Sequence, residues 1–214
     1  MAKQLDYHTI REIFTRFQQA EPEPKGELEH VNVYTLVVAV ALSAQATDAG
    51  VNKATRALFK IADTPQKMLD LGIDGVTEHI KTIGLFRQKA KNVINLSQIL
   101  VDEYDGEVPN SRAALQSLPG VGRKTANVVL NMWWHQPAQA VDTHIFRVGN
   151  RTGVAPGKTV EAVERAIEDN VPADFQQHAH HWLILHGRYH CKARKPLCRT
   201  CIIRDLCPYE EKTE

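Results

Sequence analysis

No apolar run in this chain can cross a bilayer: the longest, Leu36 to Leu42, falls far short of the roughly 20 residues that a membrane helix needs. The start, MAKQLDYHTIREIF, lacks the basic stretch and apolar core of a secretory leader, so a soluble, intracellular protein is expected. Period-two alternation of apolar and polar residues is absent too, and with it any sign of a sheet. Net charge is small, +1 from 26 Lys and Arg against 25 Asp and Glu, which excludes a uniformly basic surface. Cysteine is scarce, and all four lie between Cys191 and Cys207. In a reducing compartment such crowding points to metal ligands rather than disulfides. At 214 residues the chain buries a substantial core without needing that metal in order to fold.

What is present is helical periodicity. Ile10, Ile13, Phe14 and Phe17 mark one apolar face, which Glu21-Pro22-Glu23-Pro24 brings to an end. Leu36 to Leu42 is apolar on every side; its alanines and the lack of a partner strand favour a buried helix over a strand. Asp63-Thr64-Pro65 supplies a cap and a first-turn proline, Gly72 and Gly106 are expected to close helices, and Asn110 to cap the next. An all-α protein of roughly nine or ten helices follows. There is also a weak internal repeat: Gly84, Leu85, Arg87, Ala90, Val93 and Ile94 reappear 36 residues later as Gly120, Val121, Arg123, Ala126, Val129 and Leu130. Both copies read helix, glycine turn, helix, a pattern that any two packed helical hairpins also share.

Two local features stand out against the neutral average. From Gly187 to Cys207 six basic residues, Arg188, Lys192, Arg194, Lys195, Arg199 and Arg204, face Asp205 alone, a local charge of +5. Acidic residues collect elsewhere, at Glu21, Glu23, Glu27 and Glu29 and at Glu210, Glu211 and Glu214. The second feature is Leu118-Pro119-Gly120-Val121-Gly122, set between one helix from about Asn110 to Ser117 and another from about Gly122 to Trp134. Proline and two glycines turn the backbone sharply and leave N–H groups outward at a helix start, where the dipole also favours an anion. An ordinary interhelical turn needs one glycine; two at this spacing point to a phosphate of a nucleic-acid backbone.

The run LPGVGRKTANVVL, followed by VDTHIFRV from Val141, resembles the helix-hairpin-helix DNA glycosylases, and within them the endonuclease III family. LSAQATDAGVNKAT from Leu42, IKTIGLFRQKAKN from Ile80 and HHWLILHGRYHC from His180 extend the resemblance over most of the chain. It implies a two-domain, all-α fold: a six-helix barrel domain over 22–135 and a discontinuous iron-sulfur domain over 1–21 and 136–214. The implied partner is double-stranded DNA carrying oxidised or ring-saturated pyrimidines or abasic sites, handled by a monomer in a bacterial-type cytoplasm, at the nucleoid.

Lys124 lies in the first turn of the second hairpin helix, where the dipole disfavours a cation, so it is poorly placed as a solubilising lysine. It matches the family's Schiff-base lysine, and as a neutral amine it could attack the anomeric carbon of a nucleotide. Lowering its pKa from about 10.4 to about 7 or 8 takes roughly 3.5 to 4 kcal/mol, against about 0.3 to 1 kcal/mol from a helix end. Desolvation by bound DNA must supply most of the difference. Asp142 matches the family's essential aspartate. A carboxylate near Lys124 would favour the ammonium, so its chief expected role is to stabilise positive charge developing on the sugar, with proton handling second. Before Thr143-His144 it also reads as a helix cap.

A base must leave the stack before it can be attacked, and the gap must be filled. Gln45 and Leu85 match the family's duplex-filling residues, one as plug and one as wedge, although Leu85 also reads as a core leucine. Leu118, Gly120, Val121 and Gly122 are the expected phosphate grip, and Lys192, Arg194 and Lys195 a second DNA contact.

Cys191, Cys198, Cys201 and Cys207 follow Cys-x6-Cys-x2-Cys-x5-Cys, a spacing that by itself leaves zinc open. The resemblance implies a 4Fe-4S cluster on all four thiolates. His178, His180, His181, His186 and His190 invite a second metal site but, without matched carboxylates, are expected in the core or at the surface. Two alternatives remain. A mismatch adenine glycosylase shares the hairpin, aspartate and cysteines, but typically lacks the lysine and carries a C-terminal recognition domain, whereas this sequence stops seven residues after Cys207. A non-catalytic helix-hairpin-helix module would need neither Lys124 nor Asp142. Gln116 stands where the family often has an acid, which leaves any carboxylate role there in doubt.

Overall fold

The computed structural model describes residues 3–213. Met1 and Ala2, which open the stretch read as lacking a leader, and Glu214, last of the closing acids, lie outside the described residues. Among the described residues there are ten α-helices, two short 3-10 turns and no strand. None of the helices is long and apolar enough to cross a membrane. The chain divides into two compact units, Glu27–Trp134 and the pair of segments Met1–Gly26 with His135–Glu214.

Glu27–Trp134 holds six helices: α2 (Val33–Leu42), α3 (Asp48–Ile61), α4 (Pro65–Ile80), α5 (Phe86–Tyr104), α6 (Arg112–Ser117) and α7 (Arg123–Trp134). α2 is its centre. Every residue from Tyr34 to Leu42 is buried, because α3, α5 and α7 all pack on it, and this explains why the sequence shows no polar face there. A capping box of Asn32 with Thr35 starts the helix, and Tyr34 shares a 2.6 Å hydrogen bond with Ser97 of α5. Thr64 caps α4 and Pro65 opens it, as expected, and Gly72 (φ 71°) closes its first helical part, also as expected, with a second part following at once across a kink. α5 leaves through a left-handed pair, Asp105 (φ 52°) and Gly106 (φ 80°), whose N–H groups both reach Leu100 O. Ser111, not Asn110, caps α6: its Oγ accepts from Ala114 N. The two polar residues are adjacent, and the one whose side chain reaches the third helical N–H takes the position.

The other unit is built from α1 (Tyr7–Ala20), α8 (Thr143–Thr152), α9 (Val160–Asn170) and α10 (Gln176–Tyr189), with 3-10 turns at Ala173–Phe175 and Cys198–Thr200. Asp6 caps α1, whose face of Ile10, Ile13, Phe14 and Phe17 is buried against Ile145, Val148, Phe175 and Trp182. Phe14 stacks on Phe175 at 5.9 Å, and Trp182 Nε1 donates to Glu21 O at 2.8 Å, where α1 ends. α8 crosses α10 at Gly187; a Cβ there would lie 2.9 Å from His144 Cβ and 3.1 Å from Val148 Cγ2, so only glycine fits the crossing unchanged.

Candidate functional site

The turn between α6 and α7 is closed from inside. Leu118 N donates to Leu115 O at 3.2 Å and Val121 N to Leu118 O at 3.0 Å, while the side chains of Leu118 and Val121 are buried. These two residues therefore shape the turn, since neither their side chains nor their N–H groups face outward. The glycines differ. Gly120 is needed by the chain itself: its φ is 82°, and a Cβ there would sit 3.0 Å from Asn92 Nδ2. Gly122 has no positive φ, and a Cβ on it would meet nothing within 4 Å. Its carbonyl accepts from Ala126 N at 2.9 Å in the first turn of α7, and the residue itself is exposed. Lys124 is the second residue of α7 and is exposed.

In the same unit Gln45 and Leu85 are both exposed and both left-handed, at φ 55° and 58°. Non-glycine residues adopt this region at a cost, and two such residues at exposed turns mark strained, outward-facing positions. Leu85 is 62% exposed, which rules out the core reading. The start of α3, which follows Gln45, lies near the segment before Leu85: a Cβ on Gly50 would lie 4.0 Å from Ile83 Cγ2. The internal repeat survives as helix, turn, helix, but the left-handed residue is Leu85 in one copy and Gly120, the counterpart of Gly84, in the other.

Asp142 caps α8. Its Oδ1 accepts from His144 N at 2.8 Å and Ile145 N at 2.9 Å, while Oδ2 has no hydrogen bond among the described residues. One oxygen thus fixes the carboxylate at the start of α8. Five and nine residues further along the chain, Arg147 and Arg151 reach from α8 to the loop after α10. Neither was a candidate in the sequence, where only their spacing of four on one helix face hinted at a shared target.

Cys191, Cys198, Cys201 and Cys207 all line one hollow of about 380 Å³, open solvent at its mouth included, with Leu197, Ile203 and Pro196 among its apolar walls. Among the described residues no three His, Cys, Asp or Glu side chains form a group able to hold a single metal ion. Burial pushes the thiols of Cys201 and Cys207 up, so the thiolate form needs a cationic group in the hollow. Arg151 Nη1 lies 3.7 Å from Cys191 Sγ, and His186 Nε2 lies 3.7 Å from Cys201 Sγ. Lys192, Arg194 and Lys195 are exposed on the loop between the first two thiols. Asp205, the one acid in that basic stretch, pairs with Arg16 of α1 at 2.6 Å. Of the five histidines, His180, His181 and His186 are buried, His178 is half-buried and His190 is exposed. Burial, helped by His178, pulls the pKa of His181 down to about 4.

Residues 38–173 match the model of the HhH-GPD superfamily of base excision DNA repair proteins. The chain is 58% identical over 203 residues, 95% of its length and 96% of the relative's, to endonuclease III of Escherichia coli (strain K12). Its identity to endonuclease III of Haemophilus influenzae is 57% over 203 residues, with the same coverage. It is also similar to the solved structure of a trapped endonuclease III–DNA covalent intermediate, with a TM-score of 0.88 and 42% identity, covering 96% of this chain and 97% of that one.

Proposed function

Because the chain belongs to the endonuclease III family of the HhH-GPD base excision repair superfamily, we propose that it excises oxidised or ring-saturated pyrimidines and then cuts the strand through a Schiff base on Lys124. It is a bifunctional DNA glycosylase and abasic-site lyase, and double-stranded DNA is its partner. The observation that carries the finer reading is Gly122. A glycine that neither packing nor φ demands, two residues before Lys124, leaves open backbone where a phosphate can approach.

In this reading the grip is made by the backbone N–H groups of Gly120 and Gly122, while Leu118 and Val121, also expected in the grip from the sequence, spend their N–H groups inside the turn and hold its shape. Neutral Lys124 Nζ attacks C1′ of an extruded nucleotide; the bond from C1′ to the base breaks, and the base leaves with the electron pair and takes up a proton. Nζ gives up a proton and the C1′–O4′ bond breaks, O4′ taking up a proton, so that the opened sugar is joined to Lys124 as the Schiff base. Loss of the C2′ proton then breaks the C3′–O bond, the phosphate leaving with the electron pair as the end of the released strand. Asp142, held by its cap bonds, stabilises the positive charge that develops on the sugar. Leu85 enters the duplex as wedge and Gln45 plugs the vacated position, roles that suit their exposure and left-handed backbones.

The four cysteines line one hollow, which suits a group held by all four thiolates, and membership of the endonuclease III family supports a 4Fe-4S cluster there over a single ion. Bound there, the cluster would cross-link the C-terminal segment and hold Lys192, Arg194 and Lys195 for phosphate contact. We assign 22–135 to a six-helix barrel domain, and 1–21 with 136–214 to the cluster domain. The test is a panel of duplexes bearing an oxidised pyrimidine, an abasic site or a mismatched adenine. Base release and β-elimination on the first two are expected; release of the adenine alone, or binding without cleavage, would overturn the proposal.

A further inference from the structure

We propose that Arg147 and Arg151 are positioning residues for DNA binding, holding the loop that carries Lys192, Arg194 and Lys195 by its backbone carbonyls. The inference rests on the reading of that loop as a DNA contact. Arg147 donates from Nε to Cys191 O at 2.9 Å and from Nη2 to Gly187 O at 2.8 Å. One turn on, Arg151 donates from Nη1 to Lys192 O at 2.7 Å and from Nη2 to Ala193 O at 3.1 Å, and its guanidinium lies 4.7 Å from the centre of the Tyr209 ring. Two guanidinium forks on one helix face thus engage four carbonyls between Gly187 and Ala193.

Three features make this a positioning device rather than incidental packing. All four acceptors are main-chain oxygens, so the loop's shape is set while Lys192, Arg194 and Lys195 stay exposed. Lys195 is left-handed at φ 50°, a conformation that a lysine keeps only where its surroundings impose it. The far side of the loop is tied down as well, by Leu197 N donating to His190 O at 2.9 Å. A fork can span two successive carbonyls, which a lysine ammonium cannot do in the same geometry. The helix that does the holding starts at Asp142 and is locked against α10 at Gly187, so one rigid element carries the catalytic carboxylate at its start and the loop's anchors beyond it.

The test uses cluster-loaded, full-length protein and compares Arg151→Lys, Arg151→Met, Arg147→Lys and Lys192→Ala. Each is titrated against an uncleavable-lesion duplex over a range of salt, with visible absorbance reporting the cluster and amide exchange reporting the loop. Lys192→Ala should weaken binding and reduce the salt slope by about 0.9, the signature of one lost phosphate contact. Arg151→Lys should weaken binding about tenfold, the scale of re-ordering a residue or so of backbone on binding. Its salt slope should be unchanged, exchange over 192–195 should be faster, and Arg151→Met should match it, because position and not charge is lost. If Arg151→Lys loses the cluster, Arg147→Lys, which touches no sulfur, carries the same expectation. Parental affinity in both lysine variants, or a slope reduced as in Lys192→Ala, overturns the proposal. An unchanged affinity and slope for Lys192→Ala itself would instead remove the underlying reading of the loop.

Discussion

Gly122→Ala should separate stability from DNA binding. An added Cβ meets no atom of the chain within 4 Å, and the residue's φ is not left-handed. Restricting the unfolded chain favours alanine by about 0.4–1 kcal/mol, while losing glycine at the start of a helix costs up to about 1 kcal/mol. The two offset, so unfolding free energy should stay within about 1 kcal/mol of the parent. Gly120→Ala is the contrast: a left-handed φ of 82° and Asn92 Nδ2 at 3.0 Å both oppose it, and strain alone costs about 1–2 kcal/mol. On DNA the order reverses in interest. A methyl at residue 122 would stand between the N–H groups that open α7 and the incoming phosphate; loss of one charge-assisted hydrogen bond is worth about 1.5–3 kcal/mol, or roughly 10- to 150-fold in Kd. Urea unfolding and fluorescence anisotropy on an uncleavable abasic duplex measure the two effects. Parental affinity in Gly122→Ala would refute the idea that a phosphate approaches this glycine.

Asp142→Asn keeps a good cap, so its unfolding midpoint should barely move, while single-turnover base excision falls by about 10²–10³; a parental rate would confine Asp142 to capping. Leu85→Ala should change stability by less than about 0.5 kcal/mol, since the side chain is 62% exposed, and yet slow lesion turnover, whereas unchanged turnover removes the wedge. His181 is held neutral in the folded state with its pKa lowered from 6.5 to about 4. The unfolded chain therefore takes up the proton first, and the stability His181 contributes is full above pH 6.5 and is lost as the pH falls towards 4. His181→Gln, measured by unfolding across that window, should reduce the acid slope by up to about 1.4 kcal/mol per pH unit; an unchanged slope would show that His181 does not titrate this way.

The helices were legible because their signals are local. The all-apolar run of α2, the Thr64-Pro65 start of α4 and the apolar face of α1 each follow from a few neighbouring residues. Finer features depended on competition that local chemistry does not decide. Ser111 and Asn110 are both competent caps, and Gly72 closes one helical stretch without any signal that another follows directly. The repeat pointed to Gly84 as the turn former, yet the left-handed residue is Leu85, because the first turn closes differently from the second. At the site, residue types and spacing were readable for Lys124, Asp142 and the cysteines. Arg147 and Arg151 were not, since their partners are backbone carbonyls some forty residues away, which leave no mark of residue type in the sequence.

The most direct test of a lysine nucleophile is borohydride trapping on a duplex with an oxidised pyrimidine, followed by mapping of the modified peptide. A Schiff base on Lys124 predicts a covalent protein–DNA adduct at that residue and no adduct from Lys124→Gln, although that variant still binds the duplex. Efficient trapping by Lys124→Gln, or an adduct mapped to another residue, would contradict it.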